Sequence, residues 1–173
     1  MTGKSTANPP KVALVDTDWL SASRSTVEAE IAVSDMPELV RCLADDKGVF
    51  SAALMGTKGA KGYPGAILSV KGFVNMSCVR CGKPVIVEID REVPFLFVPS
   101  ERHANAMPIE DDEGYEIVPG SKEFDLTGLV QEEVILSLPA YPRHAHCQSE
   151  PSEPGSKEEM RKFPFEKLKQ MLH

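Results

Sequence analysis

Residues 66–98 read AILSVKGFVNMSCVRCGKPVIVEIDREVPFLFV, and this stretch decides the fold. Runs rich in Val, Ile and Phe occupy 66–76, 85–93 and 95–98, and a further run of this type lies at 49–55. Side chains of this kind favour β-strands. The connections between the runs are short and contain glycine and proline, which is typical of antiparallel hairpins. The stretch therefore predicts an antiparallel sheet.

The sequence before residue 49 predicts a further strand and a short helix. Residues 27–33 (VEAEIAV) alternate apolar and polar side chains with the period of a half-buried strand. Asp35-x-x-Glu38 has the form of a capping box with Pro37 in the first turn, so a short helix is expected to begin there. Residues 12–20 predict a short strand or turn.

The sequence after residue 98 predicts a long loop followed by the main helix. Residues 99–123 are rich in proline, glycine and acidic residues, and 115–118 are expected to form a short edge strand within them. Asp125 is a good N-cap, and Pro139 ends the helix near residue 138. The prediction is an α+β fold, with this helix packed on an antiparallel sheet or partial barrel.

The chain of 173 residues is long enough for one domain and some additional chain. We expect a loose N-terminal segment at 1–24 and a single α+β domain at 25–147. Residues 148–162 are expected to form a flexible linker, because 148–159 contain no large apolar side chain to bury. Residues 163–173 regain helical spacing and predict a short amphipathic helix, so a flexible C-terminal tail with a short helix should follow the domain.

Charge is segregated along the chain, although the net formal charge is −7. Residues 47–87 contain six basic and no acidic residues, whereas 88–133 contain thirteen acidic and three basic residues. The pattern predicts a basic face for a phosphate backbone and an acidic face for a basic protein. Two solvated faces of opposite sign, paired with each other, are the alternative interpretation.

The candidate contacts follow from this segregation. The expected contacts to the phosphates of a nucleic acid are Lys58, Lys61, Lys71, Arg80 and Lys83. The expected contacts to a basic protein partner are Glu110, Asp111, Asp112 and Glu113.

Two motifs with the spacing of metal ligands are Cys78-x-x-Cys81 and His144-x-x-Cys147. Two intervening residues let both side chains of a pair converge on one ion, and Zn²⁺ prefers thiolate and imidazole ligands. His146 is the alternative nitrogen ligand, but adjacent residues such as His146 and Cys147 point to opposite sides of an extended chain. Four protein ligands would make the zinc structural, and it would pin residues 139–147 against the hairpin turn.

Three other interpretations of these cysteines stay open at the level of sequence. They are a redox CxxC, a Cys-His nucleophilic pair, and reduced cysteines without a ligand. A redox motif needs a helix N-terminus, whereas β-type residues flank Cys78 and Cys81. The pairs are separated by 62 residues, and spacing alone does not bring them together.

Other features of the sequence bear on enzyme class and location. Phosphate-binding P-loop, dinucleotide-binding, HExxH and GxSxG motifs are missing from the sequence. The apolar runs are shorter than the roughly 20 residues that a membrane-spanning helix needs. The first residues lack the apolar stretch of a secretory signal, so we expect a cytoplasmic protein.

The motifs SCVRCGKP (77–84), Phe97-x-Pro99, FDLTGLVQEEVILSLPAYP (124–142) and His144-x-x-Cys147 together resemble the YceD family. Its members are described as large ribosomal RNA subunit accumulation proteins. The resemblance covers about residues 25–147, and Phe163-Pro164-Phe165 extends it toward the end of the chain.

The resemblance implies a bacterial, cytoplasmic, non-enzymatic ribosome-biogenesis factor that supports synthesis, processing or stability of large-subunit (23S) rRNA. The implied partners are this rRNA or a pre-ribosomal particle and a basic large-subunit protein, and neither a membrane nor DNA. Many relatives carry cysteines at the positions of His144 and Cys147, which supports zinc there. The alternatives are a metal-dependent RNA-processing enzyme or subunit, and a protein-only adaptor for a basic ribosomal protein.

Overall fold

The structure is a computed structural model and describes residues 13–107 and 114–147. Its elements in chain order are β1 (Leu14–Val15), α1 (Thr17–Ser23), β2 (Thr26–Ala32), a 3₁₀ turn (Val33–Asp35), α2 (Pro37–Val40), β3 (Val49–Thr57), β4 (Gly65–Ser77), β5 (Pro84–Val98), α3 (Glu101–Ala106), β6 (Glu116–Pro119), β7 (Phe124–Asp125) and α4 (Leu126–Ser137).

The central sheet has five strands in the order β2-β3-β4-β5-β6. Neighbours from β2 to β5 pair antiparallel, and β6 pairs parallel with the end of β5. The predicted antiparallel sheet and the predicted edge strand are therefore confirmed. Within the described residues the sheet is open, with β2 and β6 as its two edges, and it does not close into a barrel.

The core lies between one face of this sheet, the inner face, and helices α1, α2 and α4. Alternate residues of β3, such as Phe50 and Leu54, are fully buried on the inner face. Leu20 of α1, Leu39 of α2 and Val130 of α4 are buried in the same cluster. The mixed α+β class, with a helix packed on the sheet, is confirmed.

Helix α4 begins and ends where the sequence predicts. The Gly128 amide donates to Oδ1 of Asp125 over 2.9 Å, so Asp125 caps the helix. Just before the cap, β7 pairs with β1, and the Phe124 ring meets the Phe97 ring edge to face at 5.4 Å. These contacts fasten the start of α4 to β5.

Strand β5 runs through Pro94, where the sequence predicts two separate strands. The Phe97 amide donates to Pro64 on the β4 side, so by alternation Pro94 faces the opposite edge. On that edge β6 begins only opposite Phe95. No ladder hydrogen bond therefore needs the N–H that Pro94 lacks.

The predicted capping box at Asp35 is wrong. Asp35 lies in the 3₁₀ turn, α2 is a single turn, and its N-cap is Met36, whose side chain makes no capping hydrogen bond. The Glu38 amide instead donates to Oε1 of Gln131 in α4 over 3.0 Å. A residue distant in sequence therefore stabilises this helix start.

The N-terminal segment predicted to be loose at 1–24 is ordered from residue 13 onward. The Trp19 amide donates to Oδ1 of Asp16 over 3.0 Å, which caps α1, and Leu20 is fully buried. Residues 1–12 lie outside the described residues. The domain boundaries at 25–147, 148–162 and 163–173 remain predictions. Residues 148–162 and 163–173 also lie outside the described residues.

Within the residues that the structure describes, no helix is long and apolar enough to cross a membrane.

Candidate metal centre

The turn between β4 and β5 carries the first cysteine pair. The Cys78 amide donates to the Lys83 carbonyl over 2.9 Å, and the Gly82 amide donates to the Cys78 carbonyl over 2.8 Å. Gly82 has a φ of +71°, a left-handed conformation that glycine adopts without strain. The turn thus holds Cys78 and Cys81 on one side, as a zinc knuckle does. We refer to residues 78–83 as the knuckle.

The chain that follows α4 brings the second pair to this turn. The Val79 amide donates to the Pro142 carbonyl over 2.9 Å, which fastens the segment against the knuckle. The ligand atoms of Cys78, Cys81, His144 and Cys147 all lie within 4.8 Å of one another. The four side chains could therefore bind a metal such as zinc, and their predicted convergence is confirmed.

The distances fit a tetrahedral ion. The Sγ atoms of Cys78 and Cys147 are 3.8 Å apart, and Sγ of Cys81 lies 3.5 Å from Nδ1 of His144. With Zn–S near 2.3 Å and Zn–N near 2.05 Å, the edges of a regular tetrahedron are about 3.8 Å (S to S) and about 3.6 Å (S to N). The sulfur separation is far longer than the roughly 2.05 Å of a disulfide, and none of Cys42, Cys78, Cys81 and Cys147 forms a disulfide.

His144 is oriented as a ligand. Its Nε2 lies 2.9 Å from the Pro84 carbonyl, which can only accept, so Nε2 carries the proton and Nδ1 faces the cysteines. Histidines that bind metals commonly donate their second ring nitrogen in this way. His146 lines the adjoining cavity of about 210 Å³ but is not among the four clustered side chains.

The electrostatics of the site favour thiolate at one position. Backbone amides, first that of Cys81 and then those of Arg80 and His144, lower the pKa of Cys78 to about 5, although burial opposes them. For Cys81 the amide of Lys83 acts in the same direction, but burial and the thiols of Cys147 and Cys78 outweigh it and raise its pKa. The Pro84 carbonyl and the neighbouring thiols raise the pKa of His144.

The lowered pKa of Cys78 and the raised pKa of Cys81 show that the donor atoms lie too close together for a second thiolate to form easily beside the first. A divalent cation offsets this repulsion and deprotonates its thiol ligands, so the donor set fits zinc.

The five predicted phosphate contacts do not form one patch. Arg80 and Lys83 belong to the knuckle, whereas Lys58 and Lys61 lie in the loop between β3 and β4. The 13 residues of β4 separate these two places by about 40 Å at roughly 3.3 Å per residue. Lys71 lies between them on the outward face of β4, with its Nζ 3.2 Å from the Asp90 carboxylate.

Sequence reasoning missed Arg143. A cavity of about 380 Å³ beside the metal ligands is lined by Arg80, Arg143, His144, Ala145 and Cys147. The sequence signal for Arg143 is its position directly before His144, because a residue next to a ligand must lie close to the knuckle when the ligand does. The predicted partner contacts at residues 110–113 lie outside the described residues.

The family model described as "Large ribosomal RNA subunit accumulation protein YceD" matches residues 67–172. This chain belongs to the YceD family. The resemblance drawn from the motifs is thereby confirmed, and all four candidate ligands lie inside the matched YceD region. No solved structure matches the chain significantly.

Proposed function

We propose that this YceD-family protein supports the accumulation of large-subunit rRNA as a non-enzymatic factor that binds the RNA directly. The family description names the accumulation of this RNA and no reaction. The observation that carries the proposal is the set of exposed cations around the candidate metal centre, namely Arg80, Lys83 and Arg143.

The zinc, held by Cys78, Cys81, His144 and Cys147, would act as a structural pin. It joins the knuckle to residues 142–147, adding to the hydrogen bonds from the Val79 amide to the Pro142 carbonyl and from His144 Nε2 to the Pro84 carbonyl. Four protein ligands leave no open position for a catalytic water. The pin therefore fixes the positions of Arg80 and Arg143, which flank one cavity from the two joined segments.

The charge around the candidate metal centre suits a phosphate backbone. No acidic residue occurs in 47–87 or in 134–147, which together supply the knuckle and the segment that closes over it. Arginine recognises phosphate through two parallel hydrogen bonds, and fixed guanidinium groups lose less entropy when they bind. We include Lys58 and Lys61 as a second, separate contact, and we leave out Lys71 because it pairs with Asp90.

The test is binding of a labelled large-subunit rRNA fragment to the full chain over a series of salt concentrations. R80E/R143E is expected to weaken binding by at least about tenfold and to flatten the salt dependence, since each lost phosphate contact lowers the slope by about 0.7–0.9. The matched control is R102E/K122E, which makes the same charge change at two exposed residues away from the metal centre.

Equal loss in both variants would contradict the proposal, because it would reduce the effect to net charge. The RNA is expected to stay intact. Cleavage that depends on the four ligands would favour the RNA-processing alternative instead. Protein adducts without RNA adducts after crosslinking in cells would favour the protein-only adaptor.

A further inference from the structure

The outer face of the sheet, opposite the core, carries a shallow trough of about 540 Å³. On this face the trough is lined by Glu28 and Glu30 of β2, Ser51 and Ala53 of β3, and Ser69 and Lys71 of β4. Two cross-strand rows run through it and continue to β5, because residues directly opposite each other share a face. One row is Glu30, Ser51, Lys71 and Asp90, and the other is Glu28, Ala53, Ser69 and Glu92. Each row has a carboxylate at both ends; Ser51 and Lys71 lie between them in the first row, and Ala53 and Ser69 in the second.

The outer face is strongly acidic. From β2 to β5 it presents five exposed carboxylates and one cation, Lys71; the carboxylates are Glu28, Glu30, Glu88, Asp90 and Glu92. The acidic side chains stand on β2 and β5, so they form two rims, with Ser51, Ala53 and Ser69 between them and Lys71 beside the β5 rim. A nucleic acid is repelled by such a surface.

The dimensions are those of an α-helix. Three strand spacings of about 4.8 Å set the two rims about 14 Å apart, and a helix with its side chains is about 10–12 Å wide. Along β3 the outer face extends for about 20 Å between Val49 and Met55, which lie on either side of the trough, and this is the length of roughly 13 helical residues.

Exposed apolar side chains bound the trough at both ends. Met55 is 43% exposed at one end, and Val49 and Phe73 are 50% and 49% exposed at the other. Isolated exposed apolar residues are ordinary, but these lie on the same face as the small-residue floor. They would contact the apolar residues of a helix whose basic residues reach the rims.

We propose that the outer trough binds a basic, helical segment of a partner protein, with its small-residue side on Ser51, Ala53 and Ser69 and its Lys or Arg side chains at the carboxylates of β2 and β5. Charge complementarity and the match in width select this occupant. The inference goes beyond RNA binding at the metal centre, and it places a protein-binding surface on a different face of the molecule.

The probe is a 16-residue helical peptide, stapled on its solvent side, with an alanine stripe flanked by two rows of lysine. A peptide of the same pattern with glutamate in place of lysine is the negative probe. Affinity is measured by fluorescence anisotropy with the full chain at physiological salt.

The rim variant E28K/E92K and the floor variant A53W are each expected to weaken lysine-peptide binding by at least about tenfold. E123K/E132K, with the same charge change at exposed residues before and on α4, should stay within about twofold of wild type. K71A should bind several-fold more tightly, because it frees Asp90 from its ion pair. R80E/R143E should bind as wild type does, which separates this proposal from that of RNA binding.

Equal weakening by the rim variant and E123K/E132K would overturn the proposal, since the peptide would then sense only net charge. Displacement of the peptide by large-subunit rRNA would also overturn it and assign the trough to RNA. Tighter peptide binding by K167E/K169E would overturn it as well, because the chain's own C-terminal segment would then be the occupant.

Discussion

Glu133 is the residue whose environment conflicts most with its charge. It is only 2% exposed, and its Oε2 atom has no hydrogen-bond partner within residues 13–107 and 114–147. Burial raises its pKa, the nearby Glu116 carboxylate adds to the effect, and Arg91 opposes it. The folded protein therefore holds the proton of Glu133 at a pH where the unfolded chain has released it.

The stability of the protein should therefore depend on pH through Glu133. Because the folded pKa is raised, the free energy of unfolding should fall as pH rises above the ordinary range of glutamate, and the loss is complete above the folded pKa. E133Q should remove this loss and stabilise the protein at pH 8 by on the order of 1 kcal/mol.

Urea unfolding of wild type and E133Q at pH 5 and pH 8 measures this difference. A gap between the two proteins that is the same at both pH values would contradict the assignment. E123Q, at an exposed position before α4, is the control, and its gap from wild type should differ between the two pH values by less than about 0.5 kcal/mol.

At the scale of single elements, α1 is positioned by the absence of a side chain on β3. A Cβ atom added to Gly56 would collide with the backbone of Leu20, and the Ser21 hydroxyl donates to the Thr57 carbonyl beside it. The helix therefore lies directly on the strand at this point. Neither contact is visible in the sequence, which is why residues 17–23 were not predicted as a helix.

Substitution of Gly56 tests this contact. G56A should lower the free energy of unfolding by about 1–3 kcal/mol, because the collision involves backbone on both sides and neither element can rotate away. S51A, an exposed small-residue change on the same strand, should change it by less than about 0.5 kcal/mol. If G56A unfolds at the same denaturant concentration as wild type, α1 does not rest on β3 as described.

Elements differ in how far the sequence predicts them. The start and end of α4 follow from Asp125 and Pro139, since both signals act within one turn of the helix. Helix α2 is misjudged because its first turn is satisfied by Gln131, 93 positions away. The sequence predicts two strands where β5 is continuous. Pro94 fits within one strand because β6 pairs only from Phe95 onward, and the position of β6, which follows a loop, is not visible in the local sequence.

At the scale of the whole molecule, the sequence predicts the ligands of the candidate metal centre but not their meeting. Each pair is recognisable from its own spacing, whereas Cys81 and His144 are 63 positions apart and meet only because the chain after α4 returns to the knuckle. Charge is harder still to predict. The fold carries Lys71 onto an acidic face and brings Arg143 beside Arg80, and neither placement follows from segment totals.

The central claim is that Cys78, Cys81, His144 and Cys147 hold one zinc ion that joins the knuckle to the segment after α4. Metal analysis of the purified full-length protein, prepared without added metal, tests it most directly. We expect one zinc per chain, retained by C42S and H146A and lost by C78S and C147S, because Cys42 and His146 lie outside the cluster. Protein without zinc, or zinc retained by both C78S and C147S, would contradict the claim.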